Sequence, residues 1–212
     1  MLKCLSVAGS DCSGGAGIQA DLKAFSANET FGMSVITSVV AENTTRVLSV
    51  FNVPVEEIQK QIDAVFEDIH VDAVKLGMVP TAEIISAVAD KLNEYKPSII
   101  VCDPVMVATS GDALSEGGTV STMREKLFPI VTLLTPNIPE AEAISGLEIK
   151  NENHMEKAAR IIMDMGVKNV LVKGGHLTGD AVDYLCTPEG VHKLVCKRVD
   201  SPNTHGTGCT LS

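Results

Sequence analysis

The sequence predicts one α/β domain of three layers, in which helices cover both faces of a mostly parallel central sheet. Two observations predict this class: short runs that are apolar at nearly every residue, and amphipathic segments that alternate with them along the chain. Continuous apolar runs are typical of parallel strands buried on both faces, and amphipathic segments between them are typical of crossover helices. A chain of 212 residues can form one large core, so we assign residues 1–212 to a single domain.

Six apolar runs are assigned to the strands of this sheet. They lie at Lys3–Ala8, Ser34–Val40, Ala73–Leu76, Ser98–Cys102, Val131–Leu134 and Asn169–Val172. Near its end the chain no longer alternates between strands and helices. The turn sequence Thr-Pro-Glu-Gly there lies between two apolar segments, Ala181–Cys186 and Val191–Arg198. This pattern predicts an antiparallel hairpin at the edge of the sheet.

The helices are assigned from apolar residues that recur every three or four positions. The clearest cases are Val55–Ile69 and Met155–Met165, where the apolar residues fall on one helical face. Four further helices are expected between the strands, at Gly17–Asn28, Thr81–Tyr95, Thr119–Phe128 and Pro139–Ser145. Right-handed crossovers between the strands would build the three layers.

The composition of the chain disfavours several classes of binding partner and of cellular location. The formal net charge of −10 disfavours nucleic acid or an anionic membrane as a partner, so any bound phosphate would have to be held by local donors. No run of 18 apolar residues occurs and the start does not resemble a signal peptide, so we expect a cytoplasmic protein. The six cysteines show neither a C-x-x-C pair nor zinc-finger spacing, which predicts reduced thiols.

The sequence Gly206-Thr207-Gly208-Cys209 predicts an anion pocket near the C-terminus. Gly206 and Gly208 can adopt positive φ and turn backbone N–H groups towards one point, where the start of a following helix would add its own donors. Cys209 would lie at that positive end, which lowers the pKa of a thiol and makes it a candidate base. The alternative is a glycine-rich turn with a buried cysteine.

The loop after the first strand allows two interpretations. Gly15 and Gly17, followed by Ala20, match the glycine pattern of a dinucleotide-binding turn, which would indicate an oxidoreductase. The loop before Gly15 is longer than that turn, however, and the acidic residue after the second strand, Glu42, lies beyond the usual spacing of about 20 residues. The same loop would also suit a lid over a substrate.

The ends of the later strands favour phosphoryl transfer. Asp103 follows one strand, and Asn137 and Glu140 follow the next, so hard oxygen ligands for Mg²⁺ would lie at the ligand edge of the sheet. Asn137 and Glu140 also fit a helix cap that needs no metal. Lys173 stands beside two glycines where it could reach phosphate oxygens, although a solvated turn lysine is the simpler explanation.

Five motifs in chain order resemble one known family. They are AGSDCSGGAGIQADLK at 8–23, DPVM at 103–106, TPNIPEA at 135–141, KGGH at 173–176 and THGTGCT at 204–210. On these motifs the chain resembles the hydroxymethylpyrimidine/phosphomethylpyrimidine kinases of thiamine biosynthesis, within the ribokinase-like superfamily. The resemblance implies the ribokinase-like fold and ATP- and Mg²⁺-dependent phosphorylation of 4-amino-5-hydroxymethyl-2-methylpyrimidine, first to its monophosphate and then to its diphosphate.

The resemblance also implies roles for particular residues. Gly206, Thr207 and Gly208 would form the anion hole, and Cys209 would accept the proton of the hydroxyl group. Glu140 and Asp103 would hold the metal, while Lys173, Asn137 and Thr207 would contact the nucleotide. The pyrimidine would be surrounded by Gly9, Asp21, Val40, Glu42, Met78 and Val105, with the carboxylate of Glu42 facing the amino group of the ring.

Two alternatives stay open at this point. A related pyridoxal kinase would share the opening loop and the terminal cysteine, and a catalytically silent pyrimidine-binding protein would share the pocket. Members of the family continue past the position of Ser212, so the resemblance predicts that the C-terminal part of the domain is missing. It also implies a homodimer.

Overall fold

The structure, a computed structural model, describes residues 1–106, 118–175, 181–199, 201 and 203–212. Its strands are β1 (Lys3–Ala8), β2 (Phe31–Ile36), β3 (Ser38–Asn43), β4 (Arg46–Asn52), β5 (Ala73–Leu76), β6 (Ile100–Cys102), β7 (Leu133–Leu134), β8 (Asn169–Val172), β9 (Ala181–Thr187) and β10 (Gly190–Cys196). Its helices are α1 (Gly17–Ala27), α2 (Val55–Phe66), α3 (Ala82–Tyr95), α4 (Thr119–Thr122), α5 (Ile138–Ser145), α6 (Glu152–Asp164) and α7 (Thr207–Leu211).

Eight of the strands form the central sheet, in the order β10-β9-β8-β7-β6-β5-β1-β2. The six strands from β2 to β8 in this order pair in parallel, whereas β9 and β10 pair antiparallel with each other and β9 pairs antiparallel with β8. The predicted class is therefore confirmed, including the hairpin at one edge.

The strand order creates a crevice beside β1. The chain moves from β1 to β2 in one direction and then crosses back over β1 to reach β5. Right-handed crossovers place α1 and α2 on opposite faces of the sheet when the direction reverses in this way. Adjacent loops then diverge at the carboxyl ends of β1 and β5, which is where ligands bind in open α/β sheets.

The predicted strand Ser34–Val40 is wrong, because the chain leaves the central sheet at Thr37. The buried Thr37 ties the bend to neighbouring loops: its N–H donates to the Ala8 carbonyl, and its hydroxyl donates to the Met78 carbonyl at 2.7 Å. Residues beyond the bend form β3, which pairs with β4 as a separate antiparallel ribbon. The sequence interpretation missed β4, although Asn43-Thr44-Thr45 is a turn signal between β-branched segments.

Other boundaries differ for local reasons. The expected helix Thr119–Phe128 is α helical only to Thr122, then continues as a π turn at Met123–Leu127 and a 3₁₀ turn at Phe128–Ile130 that contains Pro129. Helix α6 begins at Glu152, earlier than expected, because the Asn151 side chain accepts a hydrogen bond from the His154 N–H and caps it.

The apolar core lies between the sheet and its helices. It contains side chains of the central strands and of α2, α3, α5 and α6, among them Leu5, Leu76, Ile85, Leu134 and Ile162. This packing holds the carboxyl ends of the parallel strands in fixed relative positions. Within the described ranges, no helix has both the length and the apolar character needed to cross a membrane.

Candidate active site

A cavity of about 880 Å³ opens at the carboxyl ends of the parallel strands. This volume lies in the range of small-molecule sites. Its wall brings together segments that are far apart in the sequence: the loops after β1, β5 and β6, the ribbon strand β3, the start of α5 and the C-terminal loop. Of the residues that the sequence assigned to a site, the wall includes Gly9, Val40, Glu42, Met78, Asp103, Val105, Asn137, Glu140, Lys173, Gly206, Thr207, Gly208 and Cys209.

The part of the wall assigned to the pyrimidine combines apolar contacts with one carboxylate. A Cβ at Gly9 would lie 2.6 Å from the Met78 Cε atom, so a larger residue at this position would have to displace the end of the Met78 side chain. Val40 is buried, and its N–H donates to the Ser10 hydroxyl at 3.2 Å. Burial raises the pKa of Glu42, and the nearby charge of Asp11 raises it further.

Asp21 was expected on the part of the wall assigned to the pyrimidine, but the structure places it elsewhere. It is not on the wall of this cavity; its buried carboxylate accepts a hydrogen bond from the Lys75 ammonium at 2.8 Å and another from the Ser6 hydroxyl. Lys75 itself does reach the cavity wall. Asp21 therefore neutralises a buried lysine in this structure, and the pyrimidine contact assigned to it stays a prediction.

Asp103 and Lys173 form an ion pair at 2.8 Å on the cavity wall. The Thr135 hydroxyl donates to the same Asp103 oxygen at 3.2 Å. The lysine is thus held by a buried carboxylate, which argues against the solvated turn lysine of the simpler explanation. His176, the last residue of the KGGH motif, lies outside the described residues.

Asn137 and Glu140 form a complete capping box at the start of α5. The Asn137 side chain accepts from the Glu140 N–H at 2.9 Å, and the Glu140 carboxylate accepts from the Asn137 N–H at 2.8 Å. Burial and the nearby charge of Asp103 raise the pKa of Glu140 to about 7 despite the hydrogen bonds from the backbone of Asn137 and Met106. The cap interpretation is therefore confirmed as local structure.

The same buried carboxylates fit a divalent cation. Glu140 and Asp103 interact electrostatically, and a carboxylate whose pKa is raised by a neighbouring carboxylate is stabilised by a metal ion. Mg²⁺ uses one or two carboxylates together with phosphates and water, so these two side chains are a suitable donor set. Across the described residues, no group of three or more His, Cys, Asp or Glu side chains is placed to hold a metal by itself.

The C-terminal loop packs directly on the loop after β1. Gly206 has a φ of +78°, and a Cβ at this position would overlap the carbonyl oxygen of Gly15. Only glycine suits such a backbone. Gly208, by contrast, is part of α7, so the positive φ expected of both glycines applies to Gly206 alone.

The expected lowering of the Cys209 pKa is wrong for this structure. Burial of the thiol raises its pKa, and the nearby Asp103 and Asp21 raise it further. The charge of Lys75 and a hydrogen bond from the Gly17 N–H act in the opposite direction without outweighing burial. Helix α7 has five residues, and the backbone donor to the sulfur, Gly17, stands at the start of α1.

The sequence interpretation missed two basic residues of the wall, Lys75 and His205. His205 lies within a quoted motif, which was a usable signal, whereas Lys75 lies inside an apolar strand and has no local signal. Each of the three basic side chains on the described wall is paired with a buried aspartate. The pairs are His205 with Asp11, Lys75 with Asp21 and Lys173 with Asp103.

Comparison with known proteins finds relatives that are named for thiamine biosynthesis or for the phosphorylation of hydroxymethylpyrimidine. A thiamine biosynthesis bifunctional protein of Geobacter sulfurreducens is 51% identical over 209 residues, which cover 98% of this chain and 43% of that protein. The hydroxymethylpyrimidine/phosphomethylpyrimidine kinase of Escherichia coli is 45% identical over 213 residues, which cover 100% of this chain and 80% of the relative. The chain thus spans less than half of the bifunctional protein and most of the kinase.

Solved structures and a family model agree with these relatives. A phosphomethylpyrimidine kinase from Clostridium difficile is 47% identical with a TM-score of 0.85, covering 91% of this chain and 84% of that one. The pyridoxal kinase of Bacillus subtilis, solved as an ADP complex, is 39% identical with a TM-score of 0.91, covering 99% of this chain and 80% of that one. The model of the phosphomethylpyrimidine kinase family matches residues 11–212. On this match and these relatives, the chain belongs to the phosphomethylpyrimidine kinase family.

Proposed function

We propose that the chain uses ATP to phosphorylate 4-amino-5-hydroxymethyl-2-methylpyrimidine to its monophosphate, and then the monophosphate to its diphosphate. The observation that carries this proposal is the single cavity whose wall contains both the Glu42 carboxylate and the Gly206–Cys209 loop. An acceptor site and an anion site must adjoin for phosphoryl transfer. The kinase names of the relatives support the reaction class.

The pyrimidine would be held by Glu42 and by its apolar neighbours. An ionised carboxylate is an acceptor only, so it pairs with the N–H donors of the ring's amino group. Met78 and Val40 flank this side of the cavity and would contact the ring faces. A half-closed apolar wall with one charged acceptor favours an aminopyrimidine over a sugar, which needs several hydroxyl partners.

Transfer would depend mainly on position and charge. The hydroxyl oxygen of the substrate attacks the γ-phosphorus of ATP, the bond to the β-phosphate oxygen breaks, and the hydroxyl proton passes to the Cys209 thiolate. Because the transition state is loose, alignment and neutralisation of the phosphoryl oxygens contribute most of the rate. The raised thiol pKa leaves only a small thiolate fraction near neutral pH, so general-base assistance is a minor contribution there.

The nucleotide phosphates would lie beside Lys173, Thr207 and Asn137. Lys173 keeps its contact with Asp103 and offers its other protons to phosphate oxygens. Mg²⁺ would be held by Glu140 and Asp103, and when bound it neutralises the charge of the nucleotide phosphates. Ionised Glu140 is needed for this role, and a nearby cation favours that form.

We also propose that the protein is a homodimer. The support is an exposed apolar pair on the ribbon: Val39 and Phe51 face each other across β3 and β4, with 53% and 66% of their surfaces exposed. Apolar residues exposed together in this way are typical of an interaction surface. A second copy of the chain is the partner that the family resemblance implies.

A pyridoxal kinase is the second candidate, because the B. subtilis structure that carries this name superposes with a TM-score of 0.91. Steady-state kinetics with ATP, Mg²⁺ and each acceptor separate the two proposals. We expect kcat/KM for hydroxymethylpyrimidine to exceed that for pyridoxal at least tenfold, with formation of both monophosphate and diphosphate followed by phosphorus NMR. A higher kcat/KM for pyridoxal would favour the second candidate, and binding of the pyrimidine without turnover would indicate a silent binding protein.

A further inference from the structure

We propose that His205 is a positioning residue that fastens the anion-hole loop to the loop after β1 through its contact with Asp11. The two loops are defined here as residues 9–16, the first loop, and residues 203–208, the C-terminal loop. Neither of these two side chains was assigned a role by the sequence. The inference rests on the proposed function for its kinetic consequence, although the contact itself is a property of the fold.

Asp11 is the centre around which the first loop folds. Its side chain is fully buried, and its two oxygens accept hydrogen bonds from the N–H groups of Ser13, Gly15 and Ala16 at 2.7 to 3.0 Å. The Ser13 hydroxyl adds another hydrogen bond at 3.0 Å. A buried carboxylate with this many donors has a fixed orientation, because each rotamer change would break several hydrogen bonds.

His205 brings the second loop to this fixed point. Its Nε2 atom lies 2.8 Å from Asp11 Oδ2, and 85% of its side chain is buried. The next residue, Gly206, has a positive φ and packs against the backbone of Gly15. The side-chain contact and the backbone contact together fix both the position and the direction of the chain where it enters the anion hole.

The pair also balances charge beside the proposed pyrimidine site. The charge of Asp11 raises the pKa of Glu42, and the charge of His205 lowers it. The two members of the pair thus act on Glu42 in opposite directions. One side chain therefore connects the acceptor site and the phosphoryl site, which lie on the same cavity wall.

The kinetic consequence follows from alignment. Without His205 the C-terminal loop keeps its backbone contact with Gly15 but loses the side-chain contact with Asp11 that sets its orientation. A displacement of about 1 Å in a reacting group can lower the rate about 100-fold. We therefore expect the loss to appear mainly in kcat, since the pyrimidine is held by other residues.

The experiment combines steady-state kinetics with a double-mutant cycle on the same protein. We expect His205→Ala to lower kcat about 10- to 100-fold while KM for the pyrimidine changes less than about threefold. His205→Gln, which restores a neutral donor, should recover part of kcat. His205→Ala combined with Asp11→Asn should be no slower than the slower single variant, because both remove the same contact. His192→Ala, an exposed histidine on the edge strand β10, is the matched control.

Hydrogen exchange provides a readout that does not need catalysis. Asp11→Asn also disturbs its own loop, whereas His205→Ala leaves the hydrogen bonds from Ser13, Gly15 and Ala16 in place, so the exchange test uses His205→Ala. We expect faster exchange at 203–208 and little change in the core strands. Unchanged exchange at 203–208, or kinetic losses of the two single variants that multiply in the double variant, would overturn the proposal. A wild-type chain without kinase activity but with faster exchange in His205→Ala would contradict the proposed function and leave the contact supported.

Discussion

At the scale of single residues, each of the three basic side chains on the described cavity wall is paired with a buried aspartate. Asp11, Asp21 and Asp103 are all buried, and each is matched by one basic side chain. Removing one partner of a buried pair leaves an uncompensated charge and is much more damaging than removing both. These pairs therefore constrain which single substitutions the site can accept.

Glu42→Ala should weaken pyrimidine binding by about 1 to 3 kcal/mol and leave ATP binding nearly unchanged, because the amino group of the ring would lose its acceptor on the cavity wall. Calorimetric titration of each ligand measures this. Glu42→Gln, which keeps a carbonyl acceptor of similar size, is the control and should lose less. Equal loss of both ligands would show that Glu42 does not contact the pyrimidine.

Cys209→Ala should lower kcat more than it changes either KM, because a base acts mainly in the transition state. Burial raises the pKa of the wild-type thiol, so kcat of the wild type should increase as the pH rises above neutrality and the thiolate forms. The variant should lose this increase. A pH profile of kcat for both proteins tests the point, and identical profiles would exclude Cys209 as the base.

Asp11 should make the fold sensitive to acid. Burial raises its pKa, but hydrogen bonds from His205, Ser13 and Ala16 outweigh burial and lower the value from 3.8 to about 2. Since the folded-state pKa is depressed, the stabilisation is present above pH 4 and is lost as the pH falls towards 2, by about 2 kcal/mol. Urea unfolding at several pH values should show a smaller loss for Asp11→Asn over this window.

At the scale of the secondary-structure element, the start of α5 combines a helix cap with the proposed metal and nucleotide contacts. The same two side chains that cap the helix face the cavity, so one substitution can affect both roles. The cap contributes about 1 kcal/mol to stability in typical helices. A metal role would appear in a different observable, the concentration of Mg²⁺ needed for activity.

Asn137→Ala should lower the free energy of unfolding by about 1 kcal/mol through loss of the cap. Glu140→Gln keeps an acceptor for the Asn137 N–H but removes the charge, so we expect near-normal stability with a raised Mg²⁺ requirement. Denaturant unfolding and Mg²⁺ titration of activity measure the two effects separately. Unchanged Mg²⁺ dependence in Glu140→Gln would restrict Glu140 to its capping role.

At the scale of the whole molecule, the order of the strands in the sheet determines where the site forms. The reversal of direction at β1 opens the crevice, and the ribbon of β3 and β4 leaves the central sheet beside it. The ribbon thus has two functions in our proposals: Val40 and Glu42 reach the cavity, while Val39 and Phe51 are exposed. The dimer surface and the pyrimidine site would share one pair of strands.

The double variant Val39→Ser with Phe51→Ser should be monomeric, because it removes the exposed apolar pair while leaving the strand backbone intact. Sedimentation velocity at micromolar concentration would show the wild type at twice the chain mass and the variant at the chain mass. Val195→Ser, at an exposed position on the edge strand β10, is the control and should stay dimeric. A monomeric wild type would contradict the homodimer.

The sequence by itself determined the fold class, and it assigned residues most of which lie on one cavity wall, because both depend on local patterns. Continuous apolar runs mark buried strands, and residues that follow those strands, such as Asp103 and Lys173, reach the cavity wall wherever the strands pair in parallel. The five motifs also identified the family that the comparisons show. Each of these patterns spans only a few neighbouring residues, so it can be recognised from the sequence alone.

Only the tertiary structure decided which charges meet and how buried they are. The contact between His205 and Asp11 joins residues 194 positions apart, and the pairing of Asp21 with Lys75 joins residues 54 positions apart. Burial of Cys209 reversed the expected direction of its pKa, because desolvation depends on every element packed around the sulfur. Desolvation and long-range pairing depend on which segments pack together in the folded chain, and no local pattern in the sequence specifies them.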